Sequence, residues 1–182
     1  MPQSPASSRR KQLGVAAGMA LGLAITVAAL TWPHLPPGPV DPGSRAGAWL
    51  GCDLIAGFWL LFAVARLARH RFFSPDDIDG VLGPGSPRAK VLQSLIQNTL
   101  EQTVLAGIAY GAWLMIPSPE LPTSTAWIAV GCFCLGRFLF FMGYERGAAA
   151  RALGFALTFY PTVGLMVVRA CLQLTNAPFT AL

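Results

Sequence analysis

Five long apolar blocks run along the chain, separated by short polar segments rich in glycine and proline. The blocks cover about residues 13–32, 48–67, 90–116, 125–144 and 150–173. Each is close to the ~20 residues that an α-helix needs to cross the hydrocarbon layer of a bilayer. Because a helix satisfies its own backbone hydrogen bonds in lipid, the pattern predicts an all-α membrane protein with four or five spanning helices.

Composition supports this fold class. Hydrophobic residues make up 54% of the 182 positions and charged residues only 12%, whereas a soluble domain is usually about 25% charged. The mean hydropathy of +0.54 is also that of a membrane protein. We therefore expect the lipid bilayer to be the main partner of the chain, and we find no segment that could form a soluble domain.

The cysteines and the basic charge indicate no further chemistry. The cysteines lie inside apolar blocks, without a Cys-x-x-Cys pair or a nearby histidine at metal-ligand spacing, so we expect small core residues and no metal site. The net charge of +5 is typical of basic residues beside membrane spans, and no basic and aromatic surface remains for nucleic acid. The four cysteines are Cys52, Cys132, Cys134 and Cys171.

The blocks and loops predict a simple domain organisation. A four-helix membrane domain is expected over residues 48–175, preceded by one additional transmembrane helix. The predicted segments are a cytoplasmic tail at 1–12, the additional helix at 13–32, a Pro/Gly-rich loop at 33–47, the four-helix domain at 48–175 and a carboxyl-terminal tail at 176–182.

The first block could also be the apolar region of a secretory signal. Such regions run ~7–15 residues and end at a small-residue cleavage site, whereas this block is longer and ends at Trp32-Pro33. An uncleaved helix is therefore favoured. Gly14, Gly18 and Gly22 recur every four residues, which predicts a face of bare backbone where another helix can approach closely.

Lysine and arginine are gathered at one set of helix ends, which predicts the orientation in the membrane. Arg45 and Arg169 stand at the opposite ends. The amino terminus is therefore expected in the cytoplasm and, with five spans, the carboxyl terminus outside. The residues at the basic ends are Arg9, Arg10, Lys11, Arg66, Arg69, Arg71, Arg88, Lys90, Arg146 and Arg151.

Ionisable side chains inside spans cost at least ~2.5–3.5 kcal/mol on insertion scales, so each needs a partner or a function. Glu101 is expected near the cytoplasmic ends of the helices, where Arg137 or Arg151 could pair with it. Asp53 lacks an evident mate and is expected to be an interfacial or interhelical hydrogen-bonding group rather than a proton relay. His34 and His70 are expected in loops, as solvated imidazoles. The polar set inside the spans is Asp53, Asn98, Glu101, Arg137 and Arg151.

Two elements of the sequence resemble a known family. The first is Gln97-Asn98-Thr99-Leu100-Glu101, and the second runs from Arg137 through Gly143-Tyr144 and Arg146 to Arg151. Together, in this order on a four-span background, they are similar to the MAPEG family, the membrane-associated proteins in eicosanoid and glutathione metabolism. The resemblance covers about residues 48–173 and leaves the first helix as an addition.

The resemblance implies a homotrimer that holds glutathione as co-substrate in clefts between subunits, at the cytoplasmic side. It implies that Arg151 stabilises the glutathione thiolate, as the catalytic residue. The arginine roles suit the chemistry, because guanidinium groups bind carboxylates in a bidentate manner and a cation favours a thiolate. The glutathione-binding residues would be Asn98, Glu101, Arg137, Tyr144 and Arg146.

The chain departs from the family pattern at two positions. Active members usually carry an arginine where this chain has Ser94, and often a tyrosine where it has Phe140. Arg88 and Lys90 lie two to three helical turns before Asn98, too far to replace the missing arginine without rearrangement.

Three functions are weighed on these residues. The first is a glutathione-dependent transferase or peroxidase acting on hydrophobic electrophiles or lipid peroxides. The second is a non-catalytic lipid-binding or scaffold protein of the same fold, which Ser94 and Phe140 favour. The third, a proton-coupled transporter using Glu101, lacks the inverted repeat or broken helices that would support it. The Ala/Gly/Pro/Arg-rich composition points to a bacterium, and hence to an inner membrane.

Overall fold

The computed structural model describes residues 5–31, 38–80, 85–115 and 121–175, with side chains from Ser8 onward. His34 and the predicted carboxyl-terminal tail lie outside these ranges. The described chain contains five long helices and a short 3₁₀ turn over Tyr144–Arg146. The helices are α1 (Pro5–Leu30), α2 (Pro42–Phe72), α3 (Pro87–Leu114), α4 (Thr123–Gly143) and α5 (Ala148–Thr175).

Two helices begin earlier than the apolar pattern predicts, because polar caps start them. Asp41 accepts a hydrogen bond at Oδ1 from the Ser44 N–H (2.8 Å), and Pro42 opens α2. Ser86 accepts from the Ala89 N–H (3.1 Å) at the start of α3. An N-cap oxygen satisfies a free N–H of the first turn. The loop predicted over 33–47 therefore ends at Asp41.

The predicted amino-terminal tail is also partly helical, since α1 begins at Pro5. Four described helices are long and apolar enough to cross a membrane, namely α1 from Ser8, α2, α4 with its 3₁₀ turn, and α5. The fifth, α3, has 28 residues but carries a polar stretch over residues 93–102. The fold is thus an all-α membrane bundle, as predicted.

Helix α1 lies along α5, and both run away from the same end of the bundle. We call this the basic end, because Arg66, Arg69, Arg88 and Arg151 lie there. A Cβ placed on Gly18 would be 2.9 Å from the Ala152 Cβ, so the helices meet through small residues. Gly14 and Gly22 face Ala149 and Ala156 in the same manner. The predicted glycine face of the additional helix is confirmed.

The other helices also pack through glycines. On α4 and α5, Gly136 and Gly154 bring the two backbones together. On α2 and α3, the Asp53 carboxylate lies against Gly107 and the Trp49 indole against Gly111. Asp53 Oδ1 is buried without a hydrogen-bond partner among the described residues, so its predicted hydrogen bond is not observed.

Arg45 closes the end of the bundle opposite the basic end. Its side chain is 2% exposed and donates hydrogen bonds to the carbonyl oxygens of Leu114 (2.8 Å), Trp113 (2.8 Å) and Leu121 (3.1 Å). Carbonyl groups at the carboxyl end of a helix have no partner within the helix and favour a cation. Arg45 therefore fixes the end of α3 and the start of α4 from α2. The sequence indicated only an orientation signal at this position.

At the basic end, a turn after α2 folds back on His70. The His70 Nε2 is 2.8 Å from Asp77 Oδ2, and Ser86 donates to both Asp77 oxygens, from its N–H (2.8 Å) and its hydroxyl (2.6 Å). These bonds hold the pKa of the Asp77 carboxyl below its ordinary value. The expectation of a solvated His70 is wrong, because α2 extends past it to Phe72 and the Asp77 turn covers the ring.

Candidate functional site

The site is built around a buried arginine on α4. Arg137 is 0% exposed. Its Nη1 donates to Asn98 Oδ1 on α3 (2.9 Å), and its Nη2 donates to Thr158 Oγ1 on α5 (2.7 Å). The Phe140 ring covers the guanidinium at 4.5 Å from its centroid. One side chain therefore connects three helices.

The surroundings of Arg137 are uncharged. No carboxylate pairs with it among the described residues, and its Nε has no hydrogen-bond partner. A buried charge is costly unless it is hydrogen-bonded, so the bonds to Asn98 and Thr158 and the contact with Phe140 must offset the loss of water. Thr158 in turn donates to the Phe155 carbonyl (2.8 Å). Arg137 thus positions Asn98 rather than facing an open cleft.

Arg151 lies one helical turn into α5 and is half-buried. Its guanidinium carbon lies 4.5 Å from the centroid of the Tyr144 ring, a distance at which a cation is attracted to an aromatic face. Tyr144 packs edge-on against Phe140, with ring centroids 5.3 Å apart. Because Phe140 also covers Arg137, a continuous stack joins the two arginines through two aromatic rings.

A cavity of about 460 Å³ opens beside this stack. Its lining combines the polar residues Asn98, Tyr144 and Arg151 with apolar side chains. Two of the apolar residues, Val15 and Met19, belong to α1. A cation next to an apolar wall can hold an anionic sulfur or carboxylate against a hydrophobic molecule. The apolar and small lining residues are Val15, Met19, Phe140, Ala148, Ala152 and Phe155.

Glu101 lies outside the cavity. It is exposed, and it accepts a hydrogen bond at Oε1 from the Gln97 side chain (2.9 Å). The predicted ion pair with Arg137 or Arg151 is wrong for the single chain. The reason is helix rotation: three residues shift a side chain by about 60° around the axis, so Asn98 faces the bundle while Glu101 faces outward. Ser94 is exposed on the same outward side.

Arg146 also lies apart from the cavity, exposed in the 3₁₀ turn. Beside it, Glu145 pairs with Arg88 at the start of α3. Of the predicted residues, the structure brings Asn98, Arg137, Tyr144 and Arg151 together. Glu101 and Arg146 stay at the surface of the chain.

Six residues of the site were missed from the sequence, namely Thr158 beside Arg137 and five residues of the cavity lining, Val15, Met19, Ala148, Ala152 and Phe155. Thr158 has no motif to reveal it, because a threonine in an apolar helix usually bonds its own backbone. Val15 and Met19 are ordinary apolar residues of a membrane helix. The four-residue glycine spacing of α1 was the available signal, since it predicted close approach to another helix without identifying α5.

Comparison with known proteins identifies the family. The MAPEG family model matches residues 46–171. The match begins in the first turns of α2 and ends near the end of α5, so α1 lies outside it. No curated protein and no solved structure gives a match.

Proposed function

The chain belongs to the MAPEG family, and from this premise we propose that it is a membrane enzyme that uses glutathione as co-substrate. It transfers glutathione to hydrophobic electrophiles, or uses it to reduce lipid peroxides. Arg151 is the catalytic residue. The protein resides in a bacterial inner membrane with its amino terminus in the cytoplasm.

The observation that carries this proposal is the placement of Arg151. Its guanidinium lines a cavity of about 460 Å³ together with Asn98, Tyr144 and an apolar wall. A free thiol has a pKa near ~8.5, so only a few per cent is nucleophilic at neutral pH. A neighbouring guanidinium in a poorly hydrated cavity favours the anion, and lowering the pKa by one unit requires only about 1.4 kcal/mol.

The apolar wall suits the second substrate. Val15, Met19 and Phe155 face the same cavity as Arg151, so a lipid-soluble electrophile would lie beside the thiolate. The glutathione peptide would be held by Asn98 and Tyr144. Arg137 contributes by fixing Asn98. Arg146 lies outside the cavity of the single chain, and its exposed guanidinium would bind a glutathione carboxylate in the cleft between subunits.

In a homotrimer, Glu101 would contribute to a glutathione site. Glu101 and Gln97 are exposed on α3, and an exposed carboxylate within a bilayer is costly. A neighbouring subunit would cover this side of α3, so that Glu101 completes the glutathione site of the neighbour. The mass of the detergent-solubilised complex tests this assembly, and a monomer would contradict it.

Glutathione titration into the purified protein, followed by calorimetry, tests the proposed function. We expect saturable heat that Asn98→Ala and Arg151→Ala weaken, and that Arg10→Ala leaves unchanged. Arg10 is a suitable control because it is an exposed arginine on α1 outside the cavity lining. An absence of saturable heat in the parent protein would contradict glutathione dependence.

A second candidate is a non-catalytic lipid-binding protein of the same fold. Phe140 favours it, because an apolar ring covers Arg137 at the position where active members often carry a tyrosine. Ser94 favours it as well, because active members usually carry an arginine at this position. Arg88 and Lys90, on the same helix, lie too far away to supply the missing cation. Binding of a hydrophobic probe in the cavity without any glutathione binding would support this candidate.

A further inference from the structure

An unpaired carboxylate lies inside the membrane-spanning part of the bundle. Asp53 of α2 lines a cavity of about 430 Å³ between α2 and α3, which we call the Asp53 cavity and which shares no lining residue with the Arg151 cavity. Three buried polar atoms of its lining have no hydrogen-bond partner among the described residues, namely Asp53 Oδ1, Trp49 Nε1 and Thr103 Oγ1. Buried polar groups are normally hydrogen-bonded, so the cavity is incomplete in the single chain.

An unpaired guanidinium lies on α5, in the same half of the bundle. Arg169 is half-buried, and its Nε is buried without a hydrogen-bond partner in the described part of the chain. Neither Arg169 nor Asp53 forms an ion pair within that part. An ionisable group inside a membrane span is costly unless it is paired. Each of these two residues therefore carries the charge that the other lacks.

The two charges lie at nearly the same depth. Asn98 and Thr158 mark one level of the bundle, because both accept a hydrogen bond from the same guanidinium. Gly107, which packs against the Asp53 carboxylate, is nine residues beyond Asn98, or about 14 Å at the rise of an α-helix. Arg169 is eleven residues beyond Thr158, or about 17 Å in the same direction. The difference of about 3 Å is within the reach of an arginine side chain.

Within one chain, the two residues lie on helices that are not neighbours. Helix α2 packs mainly against α3 and α4, whereas α5 packs against α1, α3 and α4. A second copy of the chain can bring them together. Side chains lean toward the amino terminus of their helix, and α2 and α5 begin at opposite ends of the bundle. Asp53 therefore leans away from the basic end and Arg169 leans toward it, so the two side chains converge.

The exposed side of α3 leads into the Asp53 cavity. Glu101, Val104 and Ile108 follow one another at helical spacing and are all exposed, and the last two line the cavity. This is the side that a neighbouring subunit covers in the homotrimer. We propose that the partner subunit's Arg169 enters the Asp53 cavity and forms an ion pair with Asp53, once at each subunit interface. This proposal rests on the homotrimer of the proposed function, but not on the use of glutathione.

Charge reversal tests the pair through the mass of the detergent-solubilised complex. Asp53→Arg and Arg169→Asp should each lower the fraction of trimer about tenfold, because like charges then face each other across the interface. The double variant with both changes should recover most of the trimer, which a folding defect would not do. Asp76→Arg is the control, since Asp76 is exposed in the turn after α2. A double variant no better than either single variant would overturn the pair.

Disulfide cross-linking shows whether the pair joins two subunits. Two differently tagged chains are co-expressed, one with Asp53→Cys and the other with Arg169→Cys, and mild oxidation should link them into a heterodimer on a denaturing gel. Parent chains, which carry four cysteines of their own, give the background. Leu61→Cys in place of Asp53→Cys should not link, because Leu61 is exposed on α2 but lies about 12 Å nearer the basic end. A heterodimer band no stronger than the background would overturn the contact between subunits.

The outcomes separate this proposal from the proposed function. A monomeric parent protein would overturn both the homotrimer and the ion pair. A trimer fraction that charge reversal leaves unchanged would overturn the ion pair alone and leave a lipid or a small cation as the partner of Asp53. An absence of saturable heat on glutathione titration, with the cross-link present, would contradict the use of glutathione alone.

Discussion

Arg137 donates a hydrogen bond from Nη1 to Asn98 Oδ1 across 2.9 Å and so joins α4 to α3 inside the bundle. The bond turns the amide of Asn98 into a fixed group at the wall of the Arg151 cavity. A residue that would contact glutathione is thus oriented by one that is itself inaccessible. The structural role of the Arg137–Asn98 bond and the proposed role of Asn98 in binding glutathione can be tested separately, because only the second requires a ligand.

Replacing Asn98 by leucine should destabilise the protein even without glutathione. The change leaves a buried guanidinium N–H without its acceptor, and a hydrogen bond to a charged group contributes ~1.5–3 kcal/mol. Thermal unfolding in detergent measures the loss. Gln93→Leu is the control, since Gln93 is exposed on the same helix, and equal unfolding temperatures for the two variants would contradict the role of the bond.

Arg45→Met should be among the most destabilising single changes. The methionine fills part of the volume but leaves without donors two carbonyl oxygens at the end of α3 and one just before α4. Each costs ~1–3 kcal/mol if it stays buried. The unfolding temperature should fall clearly below that of Arg9→Met, which changes an exposed arginine. Matching temperatures would show that water replaces the side chain.

Gly18→Leu should separate α1 from α5. A Cβ at this position already lies 2.9 Å from Ala152 Cβ and 3.0 Å from the Leu153 nitrogen, so a larger side chain must push the helices apart. We expect faster proteolysis of α1 in detergent. Gly131→Leu is the matched control, because a Cβ there meets nothing within 4 Å. Indistinguishable proteolysis would place α1 elsewhere.

The Asp77 turn should loosen in acid. Hydrogen bonds from Ser86 and His70 lower the pKa of the Asp77 carboxyl. The contribution of this carboxylate to stability is therefore complete above its pKa in the unfolded chain, about 4. It is lost as the pH falls through the lower pKa of the folded state. Hydrogen exchange of the Ser86 N–H, after correction for intrinsic rates, should accelerate over that range. In Asp77→Asn, the exchange should lack this pH dependence. Retention of the dependence in that variant would assign it to another group.

The helices could be predicted from the sequence because membrane spans leave a strong signal of length and hydropathy. Their starts were less accurate, since Asp41 and Ser86 begin α2 and α3 by hydrogen bonds that hydropathy does not register. The glycine spacing of α1 predicted a close helix contact, but any of the other helices could have supplied it. Only the packing of the folded chain shows that the helix in contact with the glycines of α1 is α5.

The site was predicted less completely than the helices, because the sequence does not specify which way each side chain points. The order of the motifs identified Asn98, Tyr144 and Arg151, which share the cavity. Glu101 was misplaced because the rotation of α3 is set by its buried face, and a shift of about 60° decides between cavity and surface. Arg45 was read as an orientation signal, since nothing in the sequence indicates that its side chain turns inward to cap α3.

The central claim is that Arg151 holds the glutathione thiol as the anion, and ultraviolet absorbance of the thiolate at neutral pH measures it directly. Glutathione is added to the parent protein and to Arg151→Ala, and binding is followed in parallel by calorimetry. We predict a thiolate signal in the parent that disappears in the variant while glutathione still binds. Glutathione bound to the parent without thiolate absorbance would contradict the claim and favour the lipid-binding candidate.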